Sequence, residues 1–288
     1  MSGAALGLVL LAAVAHAVWN LLARRAEEKL AFLWCGTLVT TVLFLPLGVW
    51  LLAVTPLPPA AWGVVALSAG LEALYYWTLA QAYRYGELSV VYPIARGTAP
   101  IIVPLLAAIF LGERLSWPAA GGIGLVVAGT VLIHTRRLGW PTVSGVAGVL
   151  GQLGTRYALL TGLVIACYSS LDKYGVTLAP PLLYGYLLFA GLTLALVPLV
   201  SRQWGAVASE WRLRRGSVVL VGILAPTSYG LVLLALTLAP VSYVAAAREV
   251  SVVLAVILGA VVLKEGYGRQ RLLGSAAIAA GLALLVAG

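Results

Sequence analysis

The chain has 288 residues, 62% of them hydrophobic and 9% charged, with a mean hydropathy of +1.05; one aqueous core of this length cannot hide so much apolar surface, which excludes a soluble domain and predicts an integral membrane protein. A formal charge of +9 would suggest nucleic acid in a soluble domain. Here the basic residues sit in short stretches between apolar spans, where the insertion rule and the anionic cytoplasmic leaflet account for them, so no nucleic-acid partner is expected.

Crossing ~30 Å of hydrocarbon takes about 20 helical residues. Polar punctuation marks off ten such runs: 3–23, 31–54, 61–82, 88–111, 116–134, 157–176, 182–200, 217–238, 241–263 and 270–287. The first lacks a basic leader and a convincing cleavage site, and reads as a retained helix rather than a signal peptide. Most connections are a few residues long, but 135–156 and Ser201 to Gly216 are longer. Cys35 and Cys167 both lie inside apolar spans, which argues against a disulfide framework or a metal site.

Shifted by 152 residues, the chain falls on itself: Ala95-Arg96 on Ala247-Arg248, Glu113 on Glu265, Gly122 on Gly274, Ala128-Gly129 on Ala280-Gly281. About ten identities occur in about forty pairs over 95–134. The reading is an all-α membrane protein of two five-helix repeats, 1–134 and 157–288, joined by a connecting loop over 135–156. Five is odd, so the second copy enters from the opposite side, giving a 5+5 inverted repeat around a central cavity. Fourteen basic residues lie in the loops after the odd-numbered spans; Arg114 and Lys173 alone lie on the other side. The odd-numbered loops are therefore placed in the cytoplasm and both termini outside a plasma (inner) membrane.

Arg96 and Arg248 remain, each inside an apolar span. Each is about eight residues from its own end of the span, which puts the pair roughly 6 Å to either side of the midplane. An arginine there costs ~2.5–3.5 kcal/mol on insertion scales, so it should face a wet cavity or a partner. Two readings compete. Either Glu72 and Glu249 neutralise the arginines, with Glu249 expected to point away from its neighbour Arg248, or the guanidiniums clamp an acidic solute. Glu72 and Glu249 are also candidates to complement the amine of a solute or to bind protons.

Polar and aromatic groups recur in corresponding places. His16, Trp19 and Asn20 share one helical face, lining a cavity or bonding a neighbouring helix. Trp19, Tyr76, Tyr92, Tyr168 and Tyr229 are candidates to hold the organic part of a solute. Asp172 and Lys173 are placed at the interface, near the outer end of their span, and Trp50, Trp62, Trp117 and Trp140 are read as interfacial anchors. Gly122/Gly129 and Gly274/Gly281 form small-residue stripes for close packing, within the bundle or between subunits. Pro93, Pro100 and Pro104 free backbone carbonyls, so span 4 is the expected hinge.

The Y-P-I-A-R-G-T-A-P and L-G-E-R-L segments within 92–115, their echo A-A-R-E-V and L-K-E within 246–265, and H-A-V-W-N at 16–20 resemble the EamA-type branch of the drug/metabolite transporter superfamily over nearly the whole chain. Lys264 departs from the first copy, which has Gly112 at that place. The resemblance implies ten helices around a cavity lined mainly by spans 1, 3, 4, 6, 8 and 9, with 5 and 10 peripheral, and export of amino acids, other metabolites or drugs.

The expected function is therefore alternating-access transport of small solutes, above all amino acids or related anionic or zwitterionic metabolites. No cofactor or metal is expected, protons are the candidate coupling ion, and the working unit is a monomer or a homodimer. Arg96→Ala and Arg248→Ala are each expected to cut transport with folding intact. The alternatives are a multidrug exporter of lipophilic cations and a non-transporting scaffold. An enzyme is not expected, because no paired nucleophile and base or metal-spaced cluster is present.

Overall fold

The computed structural model describes residues 1–86, 88–134, 151–254, 257 and 269–287. All regular structure among them is helical: α1 Gly3–Arg24, α2 Lys29–Leu43, α3 Leu45–Val54, α4 Pro59–Tyr85, α5 Leu88–Leu111, α6 Trp117–His134, α7 Leu153–Leu178, α8 Pro181–Val200, α9 Trp204–Leu238, α10 Val241–Ala247 and α11 Arg269–Ala287. The connection predicted over 135–156 is shorter at its far end, since α7 already runs from Leu153; 135–150, with Trp140, lie outside the described residues, as do Lys264 and Glu265. The predicted span 31–54 is a pair, α2 and α3, bent by 52°. Pro46 sits in the first turn of α3, where its missing N–H and fixed φ suit a new helix start and not a helix interior.

Two of the pairings of helices recur with the copies exchanged. Helix α1 packs along α9 as α7 packs along α4, and α2 lies on α9 as α8 lies on α4. Helices α6 and α11 pair with each other. A Cβ on Gly129 would stand 2.5 Å from the Gly274 carbonyl oxygen, and one on Gly122 would stand 2.7 Å from that of Gly281. Both reverse distances are 2.6 Å. The predicted small-residue stripes are thus used within one chain, backbone on backbone.

The L-G-E segment that follows α5 joins the two copies. Gly112 takes φ +66, and the Glu113 N–H reaches back to the Ala107 carbonyl at 3.1 Å. That is the left-handed stop with which a glycine closes a helix, the next N–H bonding back into the last turns. The Glu113 carboxylate then accepts from the Val241 N–H at 2.7 Å, the Ser242 N–H at 3.2 Å and the Ser242 hydroxyl at 2.7 Å. It caps α10 and complements the positive end of that helix. Glu113→Ala should lower stability by about 1–2 kcal/mol, read as a fall in the thermal unfolding temperature in detergent; an unchanged value would show the cap to be idle.

On the side of the basic loops, Ser201 to Gly216 is not the open loop that its polarity suggests. Ser201–Gln203 form a 310 turn, and α9 begins at Trp204 and breaks at Arg214 (φ −131, ψ 26). The order comes from Glu210, 2% exposed, which accepts the N–H groups of Glu27 and Glu28 at 2.9 Å each. Arg214 bridges Glu210 and Glu27 at 3.0 Å to each. A buried carboxylate thus satisfies the backbone donors ahead of α2 and fixes the segment as helix.

Candidate functional site

Helices α5 and α7 approach closely because Gly162 has no side chain: a Cβ there would lie 2.5 Å from Thr98 and 2.9 Å from the Ala95 carbonyl oxygen. Next to that contact Arg96 leaves α5 and meets Glu249 of the other copy, Nη2 to Oε1 at 2.8 Å. Both side chains are largely enclosed, 16% and 6% exposed. The second carboxylate oxygen of Glu249 is buried and has no hydrogen-bond partner among the described residues.

The predicted span 241–263 does not continue unbroken. Helix α10 ends at Ala247, Arg248 and Glu249 form a turn, and helical backbone resumes at Val250. Bonds from Glu249 N–H to Ala246 (3.1 Å), Ser251 N–H to Arg248 (3.1 Å) and Val252 N–H to Glu249 (2.9 Å) tighten this stretch into a three-residue spacing. In a regular helix Arg248 and its neighbour Glu249 would point apart, as the sequence suggests. At the break both line one cavity, together with Arg96, Tyr168 and Ser169.

That cavity leaves about 20 Å³ for water centres. A second, of about 10 Å³, is walled by His16, Arg96, Arg248, Ser228 and Ser251. Each has room for about one water molecule, so the two guanidiniums face a hollow that is narrow in this conformation. Arg248 makes no ion pair among the described residues; its guanidinium rests 5.9 Å from the centre of the Tyr229 ring, within range of a cation–π contact.

Tyr229 leads to a group that the sequence places wrongly. Asp172 is not interfacial: it is 1% exposed and accepts three hydroxyls, from Ser68 at 2.5 Å, Tyr184 at 2.6 Å and Tyr229. Gly175, one turn further along α7, makes room for the Tyr184 ring, which a Cβ would meet at 2.3 Å. Ser68, Asp172, Tyr184 and Tyr229 come from α4, α7, α8 and α9, so one carboxylate ties four helices from both copies. The signal is present in the spacing: Asp172 follows Tyr168 by four residues and shares its inward face. Lys173, on the neighbouring face, donates to the carbonyls of Leu236 (2.5 Å) and Ala239 (3.0 Å) and caps the end of α9 as a cation should.

The remaining predicted residues divide. His16 lines the smaller cavity and meets Trp19 edge to face at 4.8 Å. Asn20 turns its amide to the His16 carbonyl at 3.0 Å. Tyr76 packs edge-on against Tyr75 at 5.4 Å, and Tyr75 against Tyr168 at 6.1 Å, carrying an aromatic wall from α4 to α7. Glu72 is buried, one turn along α4 from Ser68. The side chains of Tyr92 and Pro93 lie outside the described residues. Helix α5 runs unbroken past Pro93, Pro100 and Pro104, and the interruption falls in the opposite copy. Among the described residues no cluster of three His, Cys, Asp or Glu side chains could hold a metal.

Against known proteins, a family model described as the EamA-like transporter family matches residues 3–135 and 152–287. The Multidrug transporter EmrE of Escherichia coli (strain K12) is 36% identical over 59 residues, which cover 20% of this chain and 54% of that protein. The chain thus spans about half the length of this curated relative. A protein crystal structure superposes with a TM-score of 0.70 at 18% identity, covering 99% of this chain and 96% of the other; at that identity it shows the fold alone.

Proposed function

This chain belongs to the EamA-like transporter family, and from that premise we propose that it carries zwitterionic solutes, amino acids above all, by alternating access and in the outward direction. The observation that carries this reading is the helix break, where an arginine outside any described ion pair and a carboxylate with an unpartnered buried oxygen line one cavity. An α-amino acid holds its acid and its amine one carbon apart, which suits Arg248 and Glu249 as adjacent ligands. Arg96 holds the other oxygen of Glu249 in place, and Tyr168 and Tyr229 supply apolar wall. With room for about one water, the present conformation cannot admit the solute. The two repeats must part, first toward one face and then toward the other, with the basic loops in the cytoplasm. The stripes of α6 and α11 are used inside one chain, which supports a monomer as the working unit.

The test is counterflow in proteoliposomes loaded with a mixture of the common L-amino acids. Arg248→Ala, a loss of the acid ligand, should slow it by about tenfold or more, as for one charge-assisted bidentate contact of roughly 1.5–3 kcal/mol. A wild-type rate would remove Arg248 from the clamp. The partial likeness to a multidrug transporter and the buried carboxylates support a second reading, export of lipophilic cations. Counterflow driven by tetraphenylphosphonium and not by amino acids would establish it instead.

A further inference from the structure

We propose that the segment 201–215 is a binding site for anionic phospholipid headgroups in the leaflet that borders the basic loops. Its inner face is already engaged. Glu210 accepts the backbone N–H groups ahead of α2 and pairs with Arg214, which also holds Glu27, and the Cys35 thiol donates to the Val207 carbonyl at 3.9 Å. These contacts use the segment's single carboxylate and one of its four arginines. What is left outside is cationic: Arg202, Arg212 and Arg215 are exposed, and none of them makes an ion pair among the described residues.

The same surface carries large apolar groups, which an aqueous loop would not expose. Trp204, Trp211 and Leu213 are 52%, 44% and 67% exposed. Trp204 and Trp211, seven residues apart, share one face of the helix, and Arg212 stands beside them. Trp204 keeps one edge against Trp34 of α2, with ring centres 5.4 Å apart. The backbone leaves helical geometry at Arg214 (φ −131, ψ 26), so 204–213 is a helix of its own, set off by a kink from the span that follows. Indole rings and arginine stems suit the apolar edge of the headgroup layer, with the guanidiniums reaching the phosphates.

Charge selects the occupant. Four arginines against one glutamate leave 201–215 at +3, and the adjoining turn does not change this, since Arg25 and Lys29 balance Glu27 and Glu28. A second copy of the chain would set these charges against their like. A zwitterionic lipid brings its phosphate with a cation attached; an anionic lipid brings the phosphate without one, and a guanidinium can take two of its oxygens at once.

The site does not depend on which solute is carried, and its test uses none. Purified protein in a neutral maltoside detergent is heated with phosphatidylglycerol or with phosphatidylcholine of the same acyl chains at equal mole fraction. Phosphatidylglycerol should raise the unfolding temperature several degrees more than phosphatidylcholine does, and high salt should shrink this excess in the wild type itself. Arg202→Gln, Arg212→Gln and Arg215→Gln combined should leave the unfolding temperature in detergent alone unchanged and abolish the excess. At about fivefold in affinity per arginine, the loss is on the order of a hundredfold. Arg84→Gln, Arg156→Gln and Arg269→Gln combined, three exposed arginines elsewhere in the chain, should keep the excess, and inorganic phosphate should not reproduce it. Equal stabilisation by the two lipids, an excess that survives the first triple variant or is lost equally in the second, or one that inorganic phosphate reproduces overturns the assignment.

Discussion

Gly129→Leu is expected to prevent assembly of the native bundle, and Gly274→Leu to do the same. The first atom of the new side chain already collides: at Gly129 a Cβ would sit 2.5 Å from the Gly274 carbonyl oxygen, 2.8 Å from Ile278 Cγ1 and 3.0 Å from the Ile278 nitrogen. Overpacking usually costs about 1–3 kcal/mol because side chains can move aside. Here two of the three obstacles are backbone atoms of α11, so relief requires moving a whole helix, and the cost should exceed that range. Gly124, on the same helix α6, has nothing within 4 Å of its Cβ position, and Gly124→Leu is the control. Size-exclusion profiles and unfolding temperatures in detergent should separate the two classes. A well-folded Gly129→Leu would mean that α6 and α11 do not pack at this distance.

Arg96→Ala is the second large effect, and it differs from Arg248→Ala in kind. Sequence alone treats both arginines as removable with the fold intact. The structure assigns Arg96 to an ion pair with a carboxylate that is 6% exposed. Removing one partner of such a pair typically costs about 3–5 kcal/mol, because the other charge is left buried without compensation. Arg96→Ala should therefore lower the unfolding temperature strongly, while Arg96→Ala with Glu249→Gln should recover much of the loss. A double-mutant cycle that adds without coupling would show the pair to be worth nothing. Arg248 has no such partner among the described residues, and its loss should appear in transport first.

The two experiments mark what could be read in advance. The number and order of the spans, the five-plus-five duplication and the membrane setting follow from hydropathy and a fixed offset, because bilayer thickness and covalent repetition leave marks along one dimension. The glycine stripes are visible for the same reason, although their partner is not, since a stripe does not say what lies against it. The helix break at Arg248–Glu249 leaves no such mark: the stretch Val241 to Leu254 contains no proline or glycine, and the prolines of α5 draw attention to the other copy. Asp172 is misplaced by its sequence position because distance from a span end is a poor guide to depth when three neighbouring helices offer hydroxyls to a carboxylate. Ser68 and Tyr184 give no signal of their own, as their roles exist only across helices.

The cap on α10 has a mechanical side. Glu113 follows the end of one copy's fourth span and grips the first turn of α10 in the other copy, the short helix whose far end is the break at Arg248 and Glu249. A tilt of α5 is therefore transmitted as a tug on this helical lever, and the two repeats are geared together where Glu113 meets α10. In such a linkage the turn at Arg248 and Glu249 is displaced whenever either repeat swings.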